Sequence, residues 1–155
     1  MTIKDYAPKT KDKVFDRDEW QTPPELFERL NERFRFTVDA CASKKNALLP
    51  RYWTKKDNAL FHEWIGERVF CNPPYSDIGS FVRRAFFSRE LNFSVLLIPS
   101  WTDRKWWHEF IEPIRVPRTS SCYVEFLPGR IKFLKNGKPS DSAPFPSCLI
   151  IFGKE

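Results

Sequence analysis

The sequence predicts a single domain of the α/β class, with a mixed sheet whose C-terminal strands are antiparallel. Two observations favour this class. Residues 67–99 read as strand, helix and strand in turn, and residues 122–152 are strand-like, with Pro-Gly and Asn-Gly turns between the strands. A chain of 155 residues has the length of one ordinary domain. We expect residues 18–155 to form it and residues 1–17, which are polar and mixed in charge, to form a flexible arm.

The first predicted helix follows a threonine and two prolines. Thr22 is a candidate N-cap, and proline is well suited to a first helical turn. The apolar residues that come next recur at helical spacing: Leu26, Phe27, Leu30 and Phe34. Two short β-type runs follow, at residues 36–41 and 67–71, and each stops at polar or small residues.

A second helix and a long buried strand complete the β-α-β unit. Residues 76–88 place apolar side chains on one helical face, and residues 93–99 form the continuous apolar run of a buried parallel strand. Thr102 and Asp103 then open a third helix, which we expect Pro113 to end. Its aromatic residues have the spacing of core positions.

Three strands are predicted in the C-terminal part, at residues 122–127, 130–134 and 148–152. The stretch between Cys41 and Val69 has only 27 residues, too few for two full β-α units. We therefore expect an abbreviated sheet.

The net charge of +6 is concentrated in two stretches. Residues 115–138 hold six basic residues and one acid, and residues 41–56 hold five basic residues and no acid. Such stretches suit a polyanionic partner, although two solvated loops would give the same pattern.

Composition also excludes several classes. The apolar runs are far shorter than the roughly 20 residues of a membrane-spanning helix, and the N-terminus lacks the apolar stretch of a signal peptide. We therefore expect a cytoplasmic protein with no membrane partner. The four cysteines and two histidines show no zinc-site spacing, so no metal is expected.

The sharpest chemical signal is Asn72-Pro73-Pro74-Tyr75, which directly follows a predicted strand. Ligands of open α/β sheets bind at the carboxyl ends of strands. The exocyclic amine of adenine is a poor nucleophile, because its lone pair is delocalised into the ring. The Asn72 side-chain oxygen and the Pro73 carbonyl could accept hydrogen bonds from the two N–H groups of this amine. Those bonds would free the nitrogen lone pair from the ring. The prolines bring no competing N–H, and Tyr75 offers a face for stacking a flipped base; the alternative is a proline-stiffened turn.

Six segments along the chain carry a resemblance. They are Trp20-Gln21-Thr22-Pro23-Pro24, Val38-Asp39-Ala40-Cys41-Ala42, Asn72-Pro73-Pro74-Tyr75-Ser76, Pro99-Ser100-Trp101-Thr102-Asp103-Arg104-Lys105-Trp106, Gly129-Arg130-Ile131-Lys132-Phe133 and Ala143-Pro144-Phe145-Pro146-Ser147. In this order they resemble the phage-type DNA N6-adenine methyltransferase family. Asn-Pro-Pro-Tyr alone is shared with other amino methyltransferases, so the ordered set is the more specific signal.

The resemblance implies a Rossmann-like fold of the class I methyltransferases, S-adenosylmethionine (AdoMet) as methyl donor, and adenine N6 in DNA as acceptor. It implies that the partner is double-stranded DNA with the target adenine flipped out of the helix. If the protein is phage encoded, its place of action is the host-cell cytoplasm.

The resemblance also implies cofactor-binding residues. The segment with Trp20, Thr22 and Pro23 would cover the methionine end of AdoMet, where Thr22 could bond the carboxylate; an ordinary helix cap is the alternative. Asp39, with Ala40 and Cys41 after it, would lie near the methionine ammonium or the ribose, unless Asp39 only caps a loop.

Two further residues complete that set. Asp57 would bond the adenine of the cofactor, or else begin a helix, and Asn72 would adjoin the methyl donor. Many methyltransferases have a Gly-x-Gly turn after the first strand, and this chain has Ala40-Cys41-Ala42-Ser43 instead. The small residues still permit close approach.

The chain has no separate target-recognition domain, so loops or a second subunit would read the DNA sequence. Our candidate DNA face is the stretch 115–138, and residues 41–56 are the other candidate. The side chains in question are Arg115, Arg118, Arg130, Lys132 and Lys135.

Two alternatives to adenine N6 methylation stay open. The same acceptors would fit the N4 amine of cytosine, or they would fit the amine of adenine in RNA. A basic DNA-binding module that kept the fold without activity is the other alternative, and the intact Asn72 motif argues against it.

Overall fold

The computed structural model describes residues 18–115 and 121–155, so the predicted arm, residues 1–17, and Arg118 lie outside the described residues. Three α-helices are assigned there, α1 (Pro24–Phe34), α2 (Ile78–Ser88) and α3 (Glu112–Arg115). The strands are β1 (Val38–Asp39), β2 (Arg68–Cys71), β3 (Phe93–Pro99), β4 (Cys122–Phe126), β5 (Leu134–Lys135), β6 (Lys138–Pro139) and β7 (Ser147–Phe152).

Five of these strands form one mixed sheet in the order β1-β2-β3-β7-β4. β1, β2 and β3 are parallel, and β7 lies antiparallel between β3 and β4. β4 therefore runs in the same direction as the first three strands. Every residue of β3 and β7 is buried, so these two strands form the centre of the core. The predicted α/β class with a mixed sheet is confirmed.

The predicted strand at residues 130–134 was wrong. The chain forms a small hairpin of β5 and β6 instead, outside the main sheet. Asn136 and Gly137 connect its strands with φ of 51° and 74°. Two positive φ values are the geometry of the two-residue turn that Asn-Gly favours.

Helix α1 packs its apolar face on the sheet through Phe27, Leu30 and Phe34, as the spacing predicts. The ring of Phe27 meets that of Phe70 at 5.1 Å. The predicted cap was wrong, because Pro23 occupies the N-cap position and no side chain caps the helix. Pro23 and Pro24 have no N–H for a Thr22 hydroxyl to bind, and that hydroxyl has another partner, described below.

The β-α-β unit matches the prediction closely. α2 buries Ile78, Phe81, Val82 and Ala85, and β3 has the predicted bounds. The third helix differs, because Pro113 does not end it. A wide turn of the π type at Trp107–Ile111 leads into α3, with the Glu112 N–H bonded to the Trp107 carbonyl five residues back. This wider turn lets the helix continue past a residue that lacks an N–H.

The stretch between β1 and β2 is abbreviated, as predicted. Residues 51–53 run beside β1 through a single parallel bridge between Asp39 and Tyr52, and a short 3-10 helix spans Ala59–Phe61. The Asp39 N–H donates to the Arg51 carbonyl at 3.1 Å, and the Trp53 N–H donates to the Asp39 carbonyl at 2.9 Å. In the described part of the chain, no helix is both long enough and apolar enough to cross a membrane.

Candidate active site

Asp39 and Asn72 lie at the same edge of the sheet. β1 ends at Asp39 and β2 ends one residue before Asn72, and the two parallel strands pair Asp39 with Phe70. The sulfur atoms of Cys71, the last residue of β2, and Cys41, two residues after β1, are 3.7 Å apart. The carboxyl ends of β1 and β2 thus bring the two predicted polar sites together, as expected for an open α/β sheet.

The Asn72 side chain is held by its amide nitrogen. Nδ2 donates to the Trp20 carbonyl at 3.2 Å and to the Thr22 hydroxyl oxygen at 3.1 Å. Among residues 18–115 and 121–155, no donor bonds to Oδ1. The amide therefore has its two donor hydrogens engaged and its acceptor oxygen available.

The two prolines that follow have different backbone roles. The Pro74 carbonyl accepts the Asp77 N–H at 3.0 Å and so closes the turn that leads into α2. No backbone donor in the described residues contacts the Pro73 carbonyl. Asn72 Oδ1 and the Pro73 carbonyl are therefore two acceptors of this motif that bind no donor in the described residues.

Tyr75 lies inside a group of rings that we call the Tyr75 cluster. The ring of Tyr75 meets four others at angles of 68° to 85° and centroid distances of 5.7 to 6.3 Å. The members of the cluster are Trp20, Tyr75, Trp101, Phe133 and Phe145. Trp20 also stacks on Phe133 and Phe145, at 5.4 and 5.6 Å.

The Tyr75 side chain is almost fully enclosed by this cluster. The residue is 7% exposed, and its hydroxyl has no hydrogen-bond partner in the described structure. Burial raises the pKa of Tyr75 well above its usual value. Trp20 and Trp101 are only partly buried, so they form the solvent-facing side of the cluster. Stacking of a base on Tyr75 would require one of these two rings to move.

Sequence reasoning did not select Trp101, Phe133 or Phe145 as site residues, yet all three contact Tyr75. Each stands in one of the six segments that carried the family resemblance. The aromatic residue within each of these segments was the sequence signal that could have identified Trp101, Phe133 and Phe145 as site residues. Five of the six segments each contribute one ring to the Tyr75 cluster, so segments far apart in the chain meet at one place in the fold.

A second unselected residue, Gln21, ties the N-terminal segment to the β5-β6 hairpin. Gln21 and Leu134 exchange two backbone hydrogen bonds, and Gln21 Oε1 accepts the Gly137 N–H at 3.3 Å. The hairpin is thereby fixed next to the residues that hold Asn72.

Asp39 is a buried carboxylate, 3% exposed. Its Oδ2 accepts the Leu48 N–H at 3.3 Å, so it does organise the loop after β1. Burial raises the pKa of Asp39 to about 6, against a smaller opposing effect of hydrogen bonds from the Leu48 and Cys41 backbone. No cationic side chain in the described residues pairs with it. A small cationic ligand group would favour its ionised form.

The other predicted cofactor residues differ in exposure and in their hydrogen-bond partners. Ala40 is buried, and its N–H donates to the Phe70 carbonyl at 2.9 Å, whereas Cys41 is partly exposed. Asp57 is exposed, and its Oδ2 accepts the Thr54 N–H and hydroxyl at 2.8 and 2.7 Å. These bonds lower the pKa of Asp57. One Asp57 oxygen remains for another partner.

The candidate DNA side chains fall into two groups. Arg115 bonds Glu112 through Nε at 2.7 Å and Nη2 at 3.1 Å, so its charge is paired within α3. Arg130 and Lys132 are exposed before the hairpin, and Lys135 is partly buried in β5. In the other stretch, residues 41–56, Arg51 pairs with Glu67 and the four lysines are exposed.

Comparison with known proteins gives the same assignment as the six segments. The family model for DNA N-6-adenine-methyltransferase (Dam) matches residues 9–155. A DNA N-6-adenine-methyltransferase of Haemophilus phage HP1 is 29% identical over 150 residues, which cover 93% of this chain and 83% of the phage protein. A DNA N-6-adenine-methyltransferase of Escherichia phage T1 is 32% identical over 96 residues, covering 60% of this chain and 40% of that one.

A solved structure was also compared. The SAM-dependent O-methyltransferase of Thermotoga maritima aligns with 96% of this chain and 72% of its own, at a TM-score of 0.49 and 9% identity. The family model spans the ordered segments, the sheet and the Asn72 motif together. The chain belongs to the DNA N-6-adenine-methyltransferase (Dam) family.

Proposed function

We propose that this chain transfers a methyl group from AdoMet to the N6 amine of adenine in double-stranded DNA, at the carboxyl end of β2. Family membership supports the reaction class. The observation that carries the proposal is the Asn72 amide, whose nitrogen donates to Trp20 and Thr22 while no donor in residues 18–115 or 121–155 bonds to Oδ1. An acceptor held in this way is what a nucleobase amine needs.

The chemistry of the amine explains the two acceptors. Asn72 Oδ1 and the Pro73 carbonyl each accept one N–H of the adenine amine. With both hydrogens drawn into these bonds, the nitrogen becomes more tetrahedral and its lone pair is freed from the ring. Donors and acceptors fixed before the reaction act most strongly where charge changes in the transition state.

No protein base is required at this site. The methylated amine is cationic and strongly acidic, so it loses one proton to solvent after the transfer. His108 is exposed on the helical stretch 105–115, which fits a surface residue rather than a catalytic one. Asn72 and Pro73 are therefore the two groups that we place on the reacting nitrogen.

Three residues of this edge fit the donor. AdoMet, when bound, supplies an activated methyl group. Asp39 offers a buried carboxylate with no cationic partner in the described residues, suited to the methionine ammonium or to a ribose hydroxyl. Thr22 keeps its hydroxyl hydrogen for a carboxylate, because its oxygen is the atom that accepts from Asn72. Trp20 stands two residues before Thr22, and its carbonyl accepts from the same Asn72 nitrogen.

A flipped adenine and the basic hairpin complete the proposal. An amine inside the duplex cannot reach Asn72, so the target base must leave the stack. Trp20 and Trp101 form the side of the Tyr75 cluster that a base would meet first. Lys132 directly precedes Phe133 and Arg130 lies two residues before Lys132, which supports a positively charged approach to this entry.

The test is to incubate the protein with labelled AdoMet and duplex DNA, digest the DNA and identify the methylated nucleoside by mass spectrometry. We expect N6-methyladenine. N4-methylcytosine, or methylation of RNA alone, would contradict the proposal in favour of another amine. In the Asn72→Ala variant we expect the rate to fall about 100- to 1000-fold. AdoMet affinity measured by calorimetry should stay unchanged, which separates loss of catalysis from loss of binding.

A further inference from the structure

Residues 18–22 contact the Asn72 motif at both of its ends. Asp18 accepts the Ser76 N–H at 2.9 Å and the Ser76 hydroxyl at 2.6 Å. The Trp20 carbonyl and the Thr22 hydroxyl oxygen accept from Asn72 Nδ2. We call residues 18–22 the strap. It contacts Asn72 from a position 50 to 52 residues earlier in the chain.

The orientation of the Asn72 amide decides whether the motif can work. The oxygen and nitrogen ends of a primary amide have nearly the same shape but opposite hydrogen-bonding character. If the Asn72 amide were rotated by half a turn, its own N–H groups would face the N–H groups of the target amine. The site therefore needs a device that keeps Oδ1 toward the substrate.

The strap provides that device. A backbone carbonyl can only accept, so the Trp20 oxygen favours the nitrogen end of the amide and repels the oxygen end. The Thr22 hydroxyl takes the second hydrogen of the same nitrogen. Thr22 is 5% exposed, so water cannot readily replace it in this role.

We propose that Thr22 is a positioning residue that fixes the Asn72 amide for the reaction, an inference that rests on the proposed function of Asn72. Its hydroxyl oxygen accepts from Nδ2, and this bond directs Oδ1 to the target amine. The role goes beyond cofactor binding, because it predicts an effect on the methyl-transfer step when AdoMet is saturating. Thr22 acts through Asn72 and does not touch the reacting nitrogen.

The first test compares Thr22→Val with Thr22→Ser. Valine keeps the shape of threonine and removes the hydroxyl, whereas serine keeps the hydroxyl. At saturating AdoMet and DNA, we expect the single-turnover rate of Thr22→Val to fall about fivefold to tenfold, the size of one neutral hydrogen bond. Thr22→Ser should stay within about twofold of wild type. Equal rates for wild type and Thr22→Val, or equal losses in both variants, would overturn the proposal.

A double-mutant cycle with Asn72→Ala shows whether Thr22 acts through Asn72. In the Asn72→Ala background the valine substitution should change the residual rate by less than about twofold, because the amide is already gone. A full further loss in that background would assign Thr22 to the cofactor or to the fold. A lower AdoMet affinity with an unchanged saturated rate would also reject the positioning role.

A spectroscopic measurement keeps the proposal testable apart from activity. The side-chain NH2 signals of Asn72 are assigned in a ¹⁵N–¹H spectrum by their loss in Asn72→Ala. In wild type we expect two protected protons, and in Thr22→Val one of them should shift and exchange faster with water. Unchanged signals would show that the hydroxyl does not hold Nδ2. If wild type formed no N6-methyladenine but these signals responded as expected, the proposed function would fail and the Thr22–Asn72 bond would stand.

Discussion

Gln21 and Leu134 exchange a pair of backbone hydrogen bonds, with the Gln21 N–H on the Leu134 carbonyl at 2.8 Å and the reverse bond at 2.9 Å. Gln21 lies between Trp20 and Thr22, the two residues that hold Asn72, and Leu134 begins the hairpin. The hairpin that follows the basic segment is therefore linked, through Gln21, to the residues that hold Asn72.

We expect the hairpin side of the molecule to contact DNA. Each cationic side chain that neutralises a duplex phosphate adds about 0.9 to the slope of log affinity against log salt concentration. Arg130→Gln combined with Lys132→Gln should therefore reduce that slope by about 2. The measurement is a titration of labelled duplex at several salt concentrations, with AdoMet affinity unchanged. The matched control is Lys55→Gln with Lys56→Gln, and a loss of slope in the control alone would place the DNA face at residues 41–56.

Asp39 should make stability depend on pH. Burial raises the pKa of Asp39 from 3.8 to about 6. The folded protein thus binds this proton more tightly than the unfolded chain does, so the free energy of unfolding falls as pH rises from about 4 to about 6, by about 3 kcal/mol. Urea unfolding at pH 4.5 and 7 should show about 2 kcal/mol of this fall in wild type, because the unfolded carboxyl is already mostly ionised at pH 4.5, and should show none of it in Asp39→Asn. Parallel pH dependence in the two proteins would refute the assignment.

If the ionised carboxylate faces the cofactor, the same proton controls AdoMet binding. A cationic group binds the ionised form, so we expect AdoMet affinity to rise as pH increases through about 6 and to level off above about 7. Calorimetry over this range should show the rise in wild type and a flat, weaker affinity in Asp39→Asn. Identical affinities would limit Asp39 to organising its loop.

The Tyr75 hydroxyl, which has no partner within the part of the chain that the structure describes, gives another expectation. A buried hydroxyl without a partner costs about 1 to 3 kcal/mol, and Tyr75→Phe removes it while keeping the ring. This variant should unfold at a higher urea concentration than wild type and keep its methylation rate, if the ring alone serves the target base. Tyr75→Ala, which empties the centre of the cluster, is the contrasting variant and should lose both stability and rate. Lower stability of Tyr75→Phe would mean that the hydroxyl has a partner.

Cys41 should be the first cysteine to react. It is partly exposed, while Cys71, Cys122 and Cys148 are buried. Burial raises the pKa of Cys122 to about 12 and that of Cys148 to about 11, and the pKa of Cys71 is also well above its usual value. Because the thiolate is the reactive form, iodoacetamide at pH 8 should label Cys41 first in a peptide map. AdoMet should slow this labelling if it covers the end of β1, and earlier labelling of Cys148 would contradict the expected order.

The elements best predicted from sequence are those whose own pattern decides the structure. β3 is a mostly apolar run that is buried on both faces. α2 has apolar residues at helical spacing along one face. The local pattern and the tertiary packing therefore favour the same structure in both elements. Family membership and the mixed α/β sheet were also predicted correctly, because several ordered segments carry that signal together.

The errors arose where a residue's role depends on distant contacts. Thr22 has the sequence context of a helix cap, but its hydroxyl bonds Asn72, 50 residues later in the chain. Pro113 would end an ordinary helix, but the wide turn before it depends on how Trp107 and Ile111 pack in the core. The rings around Tyr75 come from segments that no local pattern connects.

The position of β7 has a consequence for how the protein is made. β7 comes last of the sheet strands in the chain but lies between β3 and β4, where it pairs with both. During synthesis, the edge of β3 that will pair with β7 therefore stays unpaired until residues 147–152 have left the ribosome, although β3 is a largely apolar strand that is fully buried in the finished sheet. β4 has no neighbour in the sheet before then. The nascent chain is thus exposed to aggregation from the completion of β3 until β7 is made, and we expect it to depend on chaperones at that stage more than the finished protein does.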